Sequence, residues 1–193
     1  MNIMFKSAIL FPVYAVVFCV LSPAIAYAQD NTSPVSFTTA QIDFDDVNPV
    51  EKSYQEWFNI GLDLSTLGQY EEEIASYDKA LALNPSFHDA WFYRGIALGN
   101  LGEYEVAIAS FDQAIALEPD NGDTWFNRGL ALENIDDYEG AINSYERAGL
   151  LNENDDDAWY NRGVLLGALG QYEAEIASYD KAIAINPQNA DVW

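Results

Sequence analysis

A single cysteine, Cys19, and a single histidine, His88, occur in the 193 residues. One thiol cannot close a disulfide within the chain or build a cysteine zinc site, and one imidazole excludes the metal motifs that need two. Basic residues are scarce too: 8 Lys and Arg stand against 31 Asp and Glu, a formal net charge of −23. Phosphate contacts need clustered cations, so nucleic acid is excluded as a partner, and anionic lipid is disfavoured. Gly-rich phosphate loops and nucleophile motifs are missing as well. What is abundant is apolar. Hydrophobic residues make up 50% and aromatics 14%, too much for an acidic disordered tail and enough to bury a core.

The first residues follow a different rule from the rest. Lys6 is the only charge before Asp30, and from Ala8 to Leu21 the chain is apolar apart from Tyr14. Pro23 follows, then Ala26-Tyr27-Ala28. A charged start, a short apolar run and an A-x-A site predict a secretory signal over residues 1–28 and a protein exported to the periplasm or beyond. The alternative is an uncleaved anchor, but a membrane span needs about 20 apolar residues. Phe18 before Cys19 is bulky where a lipoprotein signal has a small residue, so Cys19 is expected to leave with the signal. The mature chain, from Gln29, would carry 31 acidic and 7 basic residues, net −24, with no membrane segment left. Residues 29–53 read as an acidic linker holding Pro34, Pro49, Asp43, Asp45 and Asp46, without helical period. A second possibility is that Ile42, Phe44 and Val47 dock on the chain's own surface.

From Tyr54 the chain repeats. Trp57, Trp91, Trp125, Trp159 and Trp193 are spaced by 34 residues. Four residues after each of the first four comes Gly61, Gly95, Gly129 or Gly163. Further columns keep phase: Leu64, Leu98, Leu132 and Leu166; Tyr70, Tyr104, Tyr138 and Tyr172; Tyr77, Phe111, Tyr145 and Tyr179; Ala80, Ala114, Ala148 and Ala182. Pro85, Pro119 and Pro187 close three of the four units. The units run 54–87, 88–121, 122–155 and 156–189, and residues 190–193 begin a fifth.

Spacing converts into structure. Apolar residues at each Trp, then four and seven on, mark one stripe of a helix. Gly68, Gly102 and Gly170 stand where that helix should stop. Asp89, Asp123 and Asp157 lie near its start, where negative charge is favoured. A second stripe, Tyr104, Ala107, Ile108, Phe111, Ala114 and Ile115, precedes Pro119. The third unit departs most: Asp136 replaces the capping Gly, Glu153 replaces the Pro, and Gly140 and Gly149 fall inside its second helix. Two such helices cannot bury their faces alone, so units must stack.

The period of 34 and the W…G…L…G…Y…A…F…A…P order over residues 54–189 resemble the tetratricopeptide repeat. The resemblance implies an all-α protein, an α-solenoid of antiparallel helix pairs with a concave groove. It implies a scaffold that binds protein segments, not an enzyme. Where the family usually has Leu before the first Gly, this chain has Arg94, Arg128 and Arg162, with Ile60 in the first unit. An acid stands at the matching place in the second helix: Asp78, Asp112, Glu146 and Asp180. If each second helix packs on the next unit's first, Asp78 meets Arg94, Asp112 meets Arg128 and Glu146 meets Arg162. The alternative is separate charges on solvated faces. Glu73 and Glu175 occupy a column that is Ala107 and Ala141 elsewhere, so they either reach out to solvent or join the Arg network.

The resemblance also implies where a partner would sit, on the first helix of each unit. Its contact columns are Phe58, Phe92, Phe126 and Tyr160, then Leu62, Ile96, Leu130 and Val164, flanked by Asn59, Tyr93, Asn127 and Asn161, with Asn100 and Asn134 further along. There is no Lys at these columns, so a clamp for acidic chaperone tails is not expected. An aromatic and aliphatic groove edged by Asn suits an amphipathic or extended apolar segment. Equally, the rings are simple inter-helix packing. Asp155, Asp156 and Asp157 offer the hard oxygens calcium takes, but their spacing is not that of an EF-hand, so a capped turn is expected there. No metal or cofactor is expected, and His88 reads as a surface turn residue.

Two function classes follow: an exported binding scaffold, or the N-terminal repeats of a longer protein, with an enzyme domain beyond. The fifth Trp193 and an uncovered last helix carrying Ile176, Tyr179 and Ile183 lead to the further expectation of truncation or self-association through the C-terminal end. Export has a direct check: intact mass of the protein from its host should show Gln29 as the first residue. Recovery of residues 1–28 still attached, in the membrane fraction, would overturn it.

Overall fold

The structure, a computed structural model, describes residues 51–188. The signal (1–28), most of the linker (29–53) and the start of a fifth unit (190–193) lie outside the described residues. Within them the chain forms eight helices: α1 Tyr54–Thr66, α2 Tyr70–Leu83, α3 His88–Leu101, α4 Tyr104–Leu117, α5 Gly122–Asn134, α6 Tyr138–Leu151, α7 Asp156–Ala168 and α8 Tyr172–Ile185. Each odd helix packs on the next even one, and each even helix packs on the odd helix that follows. The result is a solenoid of helix pairs without strands among the described residues.

The caps explain where the helices stop. Gly68, Gly102 and Gly170 take φ of 68°, 81° and 73°, the left-handed region open to glycine. Asp136 takes φ 61° at the same place in the third unit, and Tyr138 donates to its Oδ1 at 2.7 Å. Ser53 and Glu56 close a capping box on α1. Asn121, Asp137 and Asp155 each accept a backbone N–H at the start of α5, α6 and α7. Asp156 accepts from Asn186 Nδ2 at 3.1 Å. The acidic turn before α7 thus caps a helix and holds the end of α8.

The glycine column decides how closely paired helices approach. A methyl group on Gly61, Gly95, Gly129 or Gly163 would sit less than 3 Å from the ring of Tyr77, Phe111, Tyr145 or Tyr179 respectively. The Ala80, Ala114, Ala148 and Ala182 column is fully buried. At the unit junctions, Trp91 and Trp125 donate Nε1–H to the carbonyls of Pro85 and Pro119, both at 2.9 Å. The third unit has no such proline. Trp159 instead turns inward, is 3% exposed, and donates to Gly149 at 3.1 Å. A side chain on Gly149 would strike that indole, so the residue that weakens α6 as a helix makes room for the ring.

Two expectations are corrected here. His88 is buried, not a surface turn residue: it opens α3, stacks on Phe92 and reaches Thr124 at the start of α5, with Asp89 at 3.2 Å and Glu118 at 3.6 Å. Glu73 neither reaches solvent nor joins the Arg network. It is 1% exposed, its Oε2 makes no hydrogen bond, and neither does the neighbouring Tyr77 hydroxyl. Burial pushes the Glu73 carboxyl above its ordinary 4.5, with the Tyr77 and Ser65 hydroxyls pulling the other way.

A carboxyl whose folded pKa is raised contributes most stability below its unfolded pKa, and that contribution is lost as pH rises through the folded value. Glu73→Gln is therefore expected to raise stability at neutral pH by about 1–2 kcal/mol. The gain should vanish in acid below the ordinary carboxyl pKa. Thermal melts of the two proteins across that range measure it.

Candidate binding groove

Polar chemistry in the array is organised around the inter-unit arginines. Arg94 Nε donates to Asp78 Oδ1 at 2.7 Å, and Arg128 Nε to Asp112 Oδ1 at 2.7 Å. Arg162 meets Glu146 through Nη2 at 3.4 Å, and its Nε makes no hydrogen bond. Each guanidinium also donates, through Nη1, to a serine of its own unit: Ser110 at 2.6 Å, Ser144 at 2.9 Å and Ser178 at 2.6 Å. These serines were missed by sequence reasoning, although Ser76, Ser110, Ser144 and Ser178 recur in phase and the signal was there. Each Arg thus ties the preceding unit's second helix to its own. The Asp partners are about half exposed, which keeps the ion pairs weak.

The predicted ring column is half-buried and packs on the paired helix. Phe58, Phe92, Phe126 and Tyr160 each contact the aromatic of the paired helix, Tyr77, Phe111, Tyr145 and Tyr179, at centroid distances of 5.6, 6.3, 5.6 and 6.0 Å. Tyr93 fills the space between Phe58, Tyr77 and Phe92. Asn59 is exposed, Leu62 and Asn161 half-buried, and Val164 exposed.

Five of the predicted residues do converge. Ile96, Asn100, Asn127, Leu130 and Asn134 line a cavity of about 220 Å³ between α3 and α5, helices that barely touch each other. Its remaining wall, which the sequence reading did not select, includes Gly95, Gly99, Tyr104 and Phe111. Asn127 and Asn134 each tie one amide hydrogen into their own helix, to Asp123 and Leu130 carbonyls at 2.8 Å.

Why the cavity opens in the second unit can be read from two facing columns. Units with a tyrosine on the glycine have a carboxylate beside it. Glu73 lies by Tyr77, and Glu133 accepts from the Tyr145 hydroxyl at 2.8 Å. Glu175 lies by Tyr179 and over Gly167. Burial and these neighbouring carboxylates push all three phenols up. The second unit has Phe111, with Gly99 and Ala107 where the others place an acid. The second unit has neither a phenol in the pair nor a carboxylate filling that space. A methyl group on Gly99 would meet nothing within 4 Å.

Removing Arg128 takes away contacts with Asp112, Ser144 and the Trp125 ring together. Arg128→Leu is expected to cost more than Asp112→Asn. A double-mutant cycle between them should give a coupling of about 0.2–1 kcal/mol, the range of a half-exposed pair. Strict additivity in denaturant melts would show that the pair does not interact.

A tetratricopeptide repeat model matches residues 94–156, another matches 156–189, and a TPR repeat model matches 61–102. No curated protein matches the chain. Among solved structures, a MamA protein is 26% identical, with TM-score 0.69 over 72% of this chain and 76% of its own. YrrB, described as a TPR protein with an unusual peptide-binding site, is 28% identical, with TM-score 0.64 over 70% of each chain. The first TPR of Spaghetti (RPAP3), bound to an HSP90 peptide, is 24% identical, with TM-score 0.60 over 61% of this chain and 94% of its own, a likeness of fold alone. With three successive matches spanning residues 61–189 and a solenoid of helix pairs in the structure, this chain carries tetratricopeptide repeats.

Proposed function

We propose that the chain is an exported binding scaffold that holds a segment of another protein in the cleft between α3 and α5. The observation that carries this reading is Gly99. Gly95, one turn earlier, must lack a side chain because Phe111 lies on it; nothing packs against Gly99. A glycine inside a helix costs about 1 kcal/mol relative to alanine. Here that cost secures no contact of the fold, and what it leaves is the opening into the cavity. The cavity, at about 220 Å³, is smaller than the roughly 300–1,000 Å³ of small-molecule sites and suits one or two side chains of a longer chain. Asn100, Asn127 and Asn134 at its edge are groups that bond a backbone. The peptide-binding site named for YrrB supports the same kind of partner. Export rests on the apolar run and A-x-A site of residues 1–28.

The reading separates binding from folding. Gly99→Ala is expected to stabilise the chain by about 0.5–1 kcal/mol. Gly99→Leu should keep full helicity and an undiminished melting temperature while abolishing capture of the partner from the exported fraction of the host. Undiminished capture by a folded Gly99→Leu protein would rule the cleft out.

A further inference from the structure

The following inference rests on the cleft reading and names the chemistry of its occupant. Leu130 and Asn134 line the α3–α5 cavity and also a second cavity of about 410 Å³, whose other walls are Glu133, Asp136 and Tyr138. The apolar, asparagine-edged space therefore shares a wall with an acidic one. Both carboxylates are held in place, Glu133 by the Tyr145 hydroxyl at 2.8 Å and Asp136 by the Tyr138 hydroxyl at 2.7 Å. Neither is opposed by a cation among the described residues. All seven Lys and Arg among the described residues lie 3.6–5.9 Å from a tryptophan ring, and none lines either cavity. The one histidine is already buried beside Asp89 and Glu118.

A chain of net charge −23 that draws its few cations onto a tryptophan column leaves these cavities with one sign of field. An acidic segment would meet Glu133 and Asp136 uncompensated, and a neutral one would leave them unused. We propose that the cleft takes an extended, basic protein segment, with an apolar side chain over Gly99 and a neighbouring lysine or arginine between Glu133 and Asp136. The charge pairs stand at the rim, where they set partner choice and association rate more than total affinity.

Three short fluorescent peptides, blocked at both ends, test this. They share one leucine and differ only in the residues beside it, which are lysine, glutamine or glutamate. Anisotropy titrations use the full chain at low salt, with helicity confirmed for each variant by circular dichroism. The lysine peptide should bind about tenfold more tightly than the glutamine peptide, as two rim ion pairs allow. The glutamate peptide should be the weakest. Glu133→Gln combined with Asp136→Asn should remove the preference. Glutamine still accepts from Tyr145, and asparagine tolerates the left-handed φ at 136. Equal binding of all three peptides, abolished by Gly99→Leu, would overturn this inference and leave the cleft standing. A lysine preference that survives the double carboxylate change would assign the attraction to the acidic surface at large and would also overturn it. Binding that Gly99→Leu leaves untouched, or no binding at all, would remove both the cleft and its occupant.

Discussion

Everything in the array depends on one contact repeated four times: an aromatic ring of the second helix pressed against a glycine of the first. With less than 3 Å available to any Cβ at Gly61, Gly95, Gly129 and Gly163, the paired helices approach more closely than alanine would permit. The Ala80, Ala114, Ala148 and Ala182 column is completely buried beside it. Packed interiors do not absorb an added methylene without displacement, so the glycine column is a condition of the fold rather than a convenience.

The same contact creates a polar problem, and its local solutions make the four units different. A tyrosine on the glycine carries a hydroxyl into the pair, and a carboxylate comes with it from either helix: Glu73 and Glu175 from the second, Glu133 from the first. Of these, Glu73 is the most costly, being buried with an oxygen that makes no hydrogen bond. Phe111 removes the problem in the second unit, and the volume an acid would have filled becomes the cavity. A site thus arises where the repeat is relieved of a requirement, without any addition to it.

Charge is distributed by the junctions. Arg94, Arg128 and Arg162 sit between two units, each reaching an acid behind and a serine in its own pair. Lys79, Arg147 and Lys181 lie over the tryptophan of their own units at 4.0, 5.8 and 3.6 Å. Cation–π contact and ion pairing are each worth about 1 kcal/mol or less at half-exposed sites. Their larger consequence is placement, since these basic residues stand beside the tryptophans and none lines the α3–α5 cavity or the acidic one next to it.

The helices, their caps and the phase of the units were legible in the sequence because each rests on residues at short, constant separation. A positive φ at Gly102, or a stripe from Trp91 to Leu98, needs only the neighbouring turn to be recognised. The Arg–acid spacing was readable for the same reason once stacking was assumed. Of the site, Ile96, Asn100, Asn127, Leu130 and Asn134 lay in columns the pattern exposed. Gly99 did not, because a glycine's meaning depends on whether a ring from another helix lies on it. The periodic sequence by itself determined which residues share a column, and therefore the architecture. Only the tertiary structure decided that Glu73 and His88 are buried, that Phe92 and Phe126 rest half-buried on the rings of the paired helices, and that the second unit alone pairs Phe111 with an unfilled Gly99. Those outcomes turn on which side chains from different helices fill a common volume, and volume is shared across the stack, not along the chain.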